Sequence, residues 1–407
     1  MPDLKGRPFG AVEKLYLALD EIAVKTFALV AELDNRIPDE AVGPAFEALA
    51  RQHAQLNYRI AEDSHFQFWF LNSHDRLIPY RIIPAGDDRA WTAVLAEELI
   101  KPFDLSKAPL IRIIILQKQY KSILMILSHH SLGDGISAYF LMQDFLKILS
   151  GLKLDCLTLP KSMDGLLEEV TEQESYFIPA SSGTLRERSY NNSVRIFIDK
   201  VQLSEALTAS IQQRSRAEGT TVNSALNAAV AIALNKLSEV PYDRPLVARL
   251  PVSARNVLGL QREFVLNVIT KNVSMQPVND DNFWVFARWI GSELKSAASI
   301  DEVKAYVRYF RNALLQPVAF SHIVKGVEER IQTDFMLSNL GRVQEDASGI
   351  YQIKTLWGPI VISGTGAEQT VGAVTIGGRL SMTNTSFSHL PGLLKETVDI
   401  LAGAVKQ

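Results

Sequence analysis

Apolar and polar positions alternate along this chain in two different rhythms, and the changes of rhythm mark its elements. The run "TFALVAEL" (26–33) reads as a strand, and "PDEAVGPAFEALARQHAQL" (38–56) then places Val42, Phe46 and Leu49 at helical spacing. Aromatic and β-branched residues make "FQFWFLN" (66–72) and "LIPYRII" (77–83) strands, and helical periodicity returns in "WTAVLAEELI" (91–100). The segments "LIRIIIL" (110–116) and "SILMILS" (122–128) are joined by the polar "QKQYK". Both are nearly continuous apolar runs, the pattern of strands covered on two faces. From 136 to 149 Gln143, Asp144 and Lys147 fall on one side and Ile136, Tyr139, Phe140 and Leu146 on the other, which predicts an amphipathic helix.

Periodicity fades between about 151 and 193, where Ser, Gly, Pro, Asn and charge predominate. A second set of elements follows. Leu203, Leu207 and Ile211 define a helix that ends at Gly219, and "TTVNSALNAAVAIALNKL" (220–237) opens on a threonine cap and presents a close-packing alanine face. "PLVARLPVS" and "VLNVITKNVSM" predict strands, 282–315 two helices, and "DFMLSNLG", "IYQIKTLW" and "TVGAVTIGGRLSMTNTSF" further strands. Gly377-Gly378 predicts a tight hairpin inside the last of these, and "LPGLLKETVDILAGAV" a closing helix. No internal repeat is visible. The expected fold is α+β in two lobes, residues 1–160 and 194–407, separated by a crossover at 161–193.

Composition narrows the function. At 407 residues with 47% hydrophobic and 21% charged positions the chain can bury large cores, and a net charge of −3 gives no footprint for nucleic acid. The single cysteine, Cys156, excludes an intrachain disulfide and a cysteine-held metal. No signal-peptide pattern opens the chain, and no run of about 18 apolar residues crosses a membrane. A reducing cytoplasm is the expected location.

The chemistry concentrates in "SHHSLGDG" (128–135), where two of only 7 histidines stand side by side in a strand-to-helix loop. Gly133 and Gly135 allow the tight turning there. A neutral imidazole at His130 could accept a proton from a hydroxyl or amine. Asp134 could contact that imidazole directly or pair with an arginine and hold the loop in shape. A histidine at a strand end is often a mere polar cap, but two of them with aspartate and glycine in this register favour function. A zinc or iron site is the other sharp reading. It needs further ligands, and His53, His65, His74, His322 and His389 are scattered without ligand spacing, so no metal is expected.

"HHSLGDG" matches every fixed position of the HHxxxDG signature of the superfamily of condensation domains and CoA-dependent acyltransferases. Its members include chloramphenicol acetyltransferase, nonribosomal condensation domains, alcohol acetyltransferases and polyketide-associated acyltransferases. "KPFDLSKAPLIRIIIL", "ARQHAQLNYRI", "GTTVNSALNAAVAIAL", "LPVSARN" and "DFMLSNLG" resemble other segments of it, the last three most closely in the polyketide-associated and alcohol-acyltransferase branch. The DFGWG segment of the plant branch is absent.

The resemblance implies two chloramphenicol-acetyltransferase-like lobes, each a mixed sheet covered by helices, with a tunnel between them and the motif at its midpoint. It implies His130 as general base, His129 as a supporting residue and Asp134 as a loop-structuring residue paired with arginine. Where many condensation domains carry that arginine this chain has Asn57, which leaves Arg255 as the expected partner and Arg59 and Arg112 as weaker ones. The tetrahedral oxyanion would meet a backbone N–H near Gly135, or Ser338 or Asn339. The expected activity is acyl transfer from a CoA or carrier-protein thioester to an alcohol, without an acyl-enzyme and without a cofactor beyond that co-substrate. The alternatives are an amide-forming condensation enzyme on carrier-bound substrates and a degenerate module that only binds thioesters or carrier proteins. A monomer is the expected state.

Overall fold

The computed structural model describes residues 6–407 apart from 64–66, 74–77, 85–89, 156, 158–159, 168–194, 239–243, 277–281, 315–318, 329–331, 347 and 365. His65, His74, Cys156 and most of the expected crossover therefore lie outside the described residues.

The first half runs through β1 (Gly6–Pro8), α1 (Ala11–Ile22), β2 (Thr26–Leu33), α2 (Asp39–Gln52), β3 (Tyr58–Glu62), β4 (Phe68–Asn72), β5 (Tyr80–Ile83), α3 (Trp91–Leu99), β6 (Ile111–Gln117), β7 (Ser122–His129) and α4 (Gly135–Leu149). Then come α5 (Met163–Leu166), β8 (Phe197–Gln202), α6 (Glu205–Ala217), α7 (Val222–Leu237), β9 (Leu246–Ser253), β10 (Val268–Met275), α8 (Phe283–Ala297) and α9 (Ile300–Leu314). The chain closes with α10 (Phe320–Glu328), β11 (Phe335–Arg342), β12 (Ile353–Ile360), β13 (Gln369–Ile376), β14 (Arg379–Ser386) and α11 (Leu393–Ala404).

The five-stranded sheet of the first lobe has the order β12-β2-β7-β6-β5, and the six-stranded sheet of the second has β10-β9-β11-β13-β14-β8. A small third sheet joins β1, β4 and β3. The fold is thus mixed α+β in two lobes. β12 comes from the C-terminal half, yet pairs antiparallel with β2, so the late chain returns to complete the first sheet.

The apolar runs of β6 and β7 bury both faces, as their composition predicts. Ile113, Ile115, Leu124 and Ile126 enter one core with Phe46 and Phe145. Ile114, Leu116, Ile123, Met125 and Leu127 enter another with Trp91 and Leu95 of α3. Each such side chain contributes about 1.5–3 kcal/mol by leaving water, before conformational entropy is set against it. In the second lobe the alanine face of α7 packs against the sheet through Ala225, Ala229 and Ala233, with Ala248 and Leu250 of β9. Thr221 caps α7 by accepting the Ser224 N–H, and Gly377 and Gly378 turn the β13–β14 hairpin at φ 57° and 74°.

Two elements positioning the site were not read from the sequence: α1 and α10. α1 places Val12, Leu15, Tyr16 and Leu19 at i, i+3, i+4 and i+7, and packs with Val303 and Val307 of α9 and Ile323 and Val327 of α10. That cluster ties the first lobe to the second. The polar side expected for α4 is also different: Gln143 and Asp144 are buried, because His53 and Arg262 both reach Asp144 and Gln143 bonds Tyr139.

Candidate active site

β7 ends at His129, and α4 starts at Gly135, so the histidine motif spans the end of a buried strand, a short loop and a helix N-terminus. It opens onto a cavity of about 580 Å³ where the lobes meet. One wall is a sheet face in which strand alternation sends Arg249, Pro251 and Ser253 of β9, Val268, Thr270 and Asn272 of β10, and Met336 and Ser338 of β11 toward the cavity. α1, the motif loop, residues 359–363, α9 and α10 complete the lining.

His130 lines this cavity. Its backbone N–H donates to the Lys25 carbonyl at 2.9 Å, and its Nδ1 lies 3.1 Å from the Gly133 carbonyl. A carbonyl can only accept, so Nδ1 carries the proton and Nε2 keeps the ring's free lone pair. The rings of Tyr16 and Phe27 stand 4.3 and 4.7 Å from the imidazole centroid. This burial pushes the His130 pKa down to about 4, against smaller raising effects from its hydrogen bonds and from Asp134. The imidazole is neutral throughout the physiological range.

His129 is placed differently. It is buried, its Nε2 lies 3.0 Å from the Asp20 carboxylate and its Nδ1 2.7 Å from the Ser131 hydroxyl. Asp20 also accepts the Lys25 backbone N–H, which fastens the end of α1 to the start of β2 beside the motif.

Asp134 makes neither a hydrogen bond nor an ion pair to the His130 imidazole. It is the N-cap of α4, accepting the Ser137 N–H at 2.8 Å through Oδ1, while Oδ2 accepts the Asn267 N–H at 3.1 Å. Arg255, 121 residues further along the chain, donates to the same Oδ1 from 3.3 Å and also to the carbonyls of Glu263 and Val265. Of the two roles open in the sequence, the geometry holds the arginine pairing. Arg112 instead binds the carbonyls of Glu98, Lys101 and Pro102, Asn57 binds the Ala50 carbonyl, and Arg59 sits on β3 opposite Leu71.

Gly135, Ser338 and Asn339 all line the cavity. Gly135 is the first residue of α4, where backbone N–H groups and the helix dipole favour negative charge. A Cβ there would stand 2.9 Å from Leu340 and Pro359, so the close approach needs glycine. Asn339 has its Oδ1 committed to the Gly341 N–H at 2.8 Å. His322 reaches the cavity too, but no group of three or more His, Cys, Asp or Glu able to hold a metal occurs among the described residues. No helix among them is long and apolar enough to cross a membrane.

Sequence reasoning missed Tyr16, Asp20, Lys25 and Arg249. The helical spacing of α1 carried a signal for the first two; Arg249 showed only as the odd charge in an alternating strand, and Lys25 gave none.

The model of the condensation domain family matches residues 26–162. Tyrocidine synthase 3 of Brevibacillus parabrevis is 27% identical over 209 residues, 47% of this chain. The chain spans only 3% of that protein's length. Among solved structures, polyketide synthase associated protein 5 from Mycobacterium tuberculosis is similar with a TM-score of 0.68 at 16% identity, covering 100% of this chain and 99% of that one. The first condensation domain of the CDA synthetase gives a TM-score of 0.70 at 13% identity, with 98% and 96% covered.

Proposed function

We propose that this chain, whose residues 26–162 match the condensation domain family and whose motif resembles the HHxxxDG signature, transfers an acyl group from a carrier-bound thioester to an amine, forming an amide. Of the two enzyme readings open in the sequence, this alternative is better supported than the alcohol ester. The family match and the similarity to tyrocidine synthase 3 both lean toward it. One structural observation carries the chemistry: a neutral imidazole, its Nδ1 proton held by Gly133, presents Nε2 in a cavity large enough for a thioester and an acceptor.

In this reading the amine nitrogen attacks the thioester carbonyl, the N–C bond forms and the carbonyl oxygen takes negative charge. The Gly135 N–H at the start of α4 faces that charge, with the Ser338 hydroxyl as a second donor. Nitrogen's proton passes to His130 Nε2, the C–S bond breaks, and the imidazolium returns the proton to the leaving sulfur. A base with a pKa near 4 suits this order of events. The nitrogen becomes acidic only after it has bonded to carbon, and so weakly basic a ring gives the proton back readily. His129, through Asp20, and Asp134, through Arg255, position the loop. The donor arm would be the phosphopantetheine of a carrier protein, and the acceptor a second carrier-bound or free amine.

The test is a panel of acyl carriers and acyl-pantetheines offered with pooled amines and alcohols, with thiol release and product mass recorded. Acceptor-dependent release that falls by about 10²–10⁴-fold in His130→Ala, with amide as product, supports the proposal. Ester as the main product returns the assignment to the alcohol reading. Equal release by the variant removes His130 as the base.

A further inference from the structure

We propose that Tyr16 is a catalytic residue of this cavity, its hydroxyl donating a hydrogen bond to the oxygen of the reacting thioester carbonyl. The proposal rests on the acyl-transfer reading of the same site and adds a third donor to the Gly135 N–H and the Ser338 hydroxyl.

Tyr16 stands in the apolar series Val12, Leu15, Tyr16 and Leu19 of α1, where packing alone asks only for hydrocarbon. Its ring meets that demand. It is 8% exposed and belongs to the cluster that joins α1 to α9 and α10. The hydroxyl adds nothing to that packing, and no described residue hydrogen-bonds it, although the residue lines the cavity. Buried tyrosine hydroxyls usually have a partner. Tyr306, which also lines the cavity, has one in the Thr270 hydroxyl at 3.2 Å. For Tyr16 the partner is an atom of the bound substrate.

The position of the ring says which atom. One face of α1 addresses both motif histidines: the Tyr16 ring lies 4.3 Å from the His130 ring, and one turn later Asp20 reaches His129 Nε2 at 3.0 Å. Tyr16 is therefore held beside the base by the same helix that holds the strand end. Burial first, then Tyr306, raises the pKa of the phenol against a smaller opposing effect of Arg249, so the hydroxyl keeps its proton and can donate. The Asp134 carboxylate at the N-terminus of α4 acts on the same phenol, and Tyr16, Gly135 and His130 border one space. In the attack His130 Nε2 takes the nitrogen's proton. A neutral donor beside it serves the atom that gains negative charge, which is the carbonyl oxygen. No bond to Tyr16 forms or breaks; its hydrogen bond tightens as the carbon becomes tetrahedral and relaxes when the C–S bond breaks.

The test compares the full chain with Tyr16→Phe, which keeps the ring and removes only the hydroxyl. The probe is an acyl-pantetheine analogue in which a methylene replaces the sulfur, so that an unreactive ketone, labelled with carbon-13, stands in place of the thioester carbonyl. Infrared difference spectra of the bound analogue should show the carbonyl band at higher frequency in Tyr16→Phe than in the wild type. In the acyl-transfer assay kcat should fall by about 10²-fold, with KM changed less than about threefold. The His130 titration followed by NMR should stay near pH 4, which separates the hydroxyl from the packing of the ring. An unshifted carbonyl band overturns the proposal and leaves the acyl-transfer reading standing, as does a raised KM at unchanged kcat. A fall in kcat accompanied by a displaced His130 titration also overturns it, assigning Tyr16 to packing. A wild type that does not bind the analogue overturns the acyl-transfer reading and the proposal together.

Discussion

Replacing Asp134 with alanine separates a scaffolding aspartate from a chemical one. Four donors reach its carboxylate: the Ser137 N–H and the Ser137 hydroxyl, both at 2.8 Å, the Asn267 N–H at 3.1 Å and Arg255 at 3.3 Å, with the Asp134 and Arg255 side chains only 4% and 5% exposed. Loss of the helix cap alone costs about 1 kcal/mol. Leaving Arg255 buried without its counter-charge costs about 3–5 kcal/mol. These contributions share one carboxylate and overlap, so the expected loss is about 3–5 kcal/mol rather than their sum. Asp134→Asn keeps an acceptor for the cap but removes the charge, and should lose about half as much. Urea unfolding followed by circular dichroism, with acyl transfer assayed in parallel, gives both readouts. Activity should fall together with stability, and Arg255→Met should couple to Asp134→Ala by about 2 kcal/mol or more in a double-mutant cycle. An Asp134→Ala protein as stable as the wild type but inactive would refute the reasoning and return Asp134 to the proton transfer.

Two further outcomes follow from the packing. Asp164 accepts the Ala11 N–H at the start of α1, and burial raises its pKa from 3.8 to about 6. The folded chain therefore binds this proton more tightly than the unfolded one, so its contribution to stability is fullest below about pH 3.8 and is lost as pH rises through 6. Asp164→Asn should gain on the wild type across that window by up to about 3 kcal/mol, read from urea midpoints at pH 4 and pH 7.5. Phe145 is fully buried and stacked on Phe46 at 4.3 Å, so Phe145→Ala should cost about 3–5 kcal/mol, measured the same way.

Local pattern made much of this molecule legible. The double-faced apolar runs of β6 and β7, the capping threonine of α7 and the paired glycines of the last hairpin each follow from residues a few positions apart. The motif loop was legible because its glycines and histidines sit between a strand and a helix. Long-range geometry was not. Gln143 and Asp144 read as the polar side of α4, and only the fold brings Arg262 and His53 to bury them. The return of β12 to pair with β2 joins segments some three hundred residues apart, for which periodicity holds no information. Lys25 shows the limit most plainly: a lysine before a strand reads as solvated, and its burial against Ile362 and Ser363 exists only in the folded chain. α1 is a different case, since its spacing was visible in the letters.

Base catalysis by His130 depends on the protonation state of one ring, which nitrogen-15 NMR of histidine-labelled protein reports directly. With His130→Gln used to assign the resonance, the Nδ1-protonated neutral tautomer should persist from pH 8 to pH 5 and titrate near pH 4. A midpoint near the ordinary histidine value of about 6.5, or a proton on Nε2 at neutral pH, would contradict it.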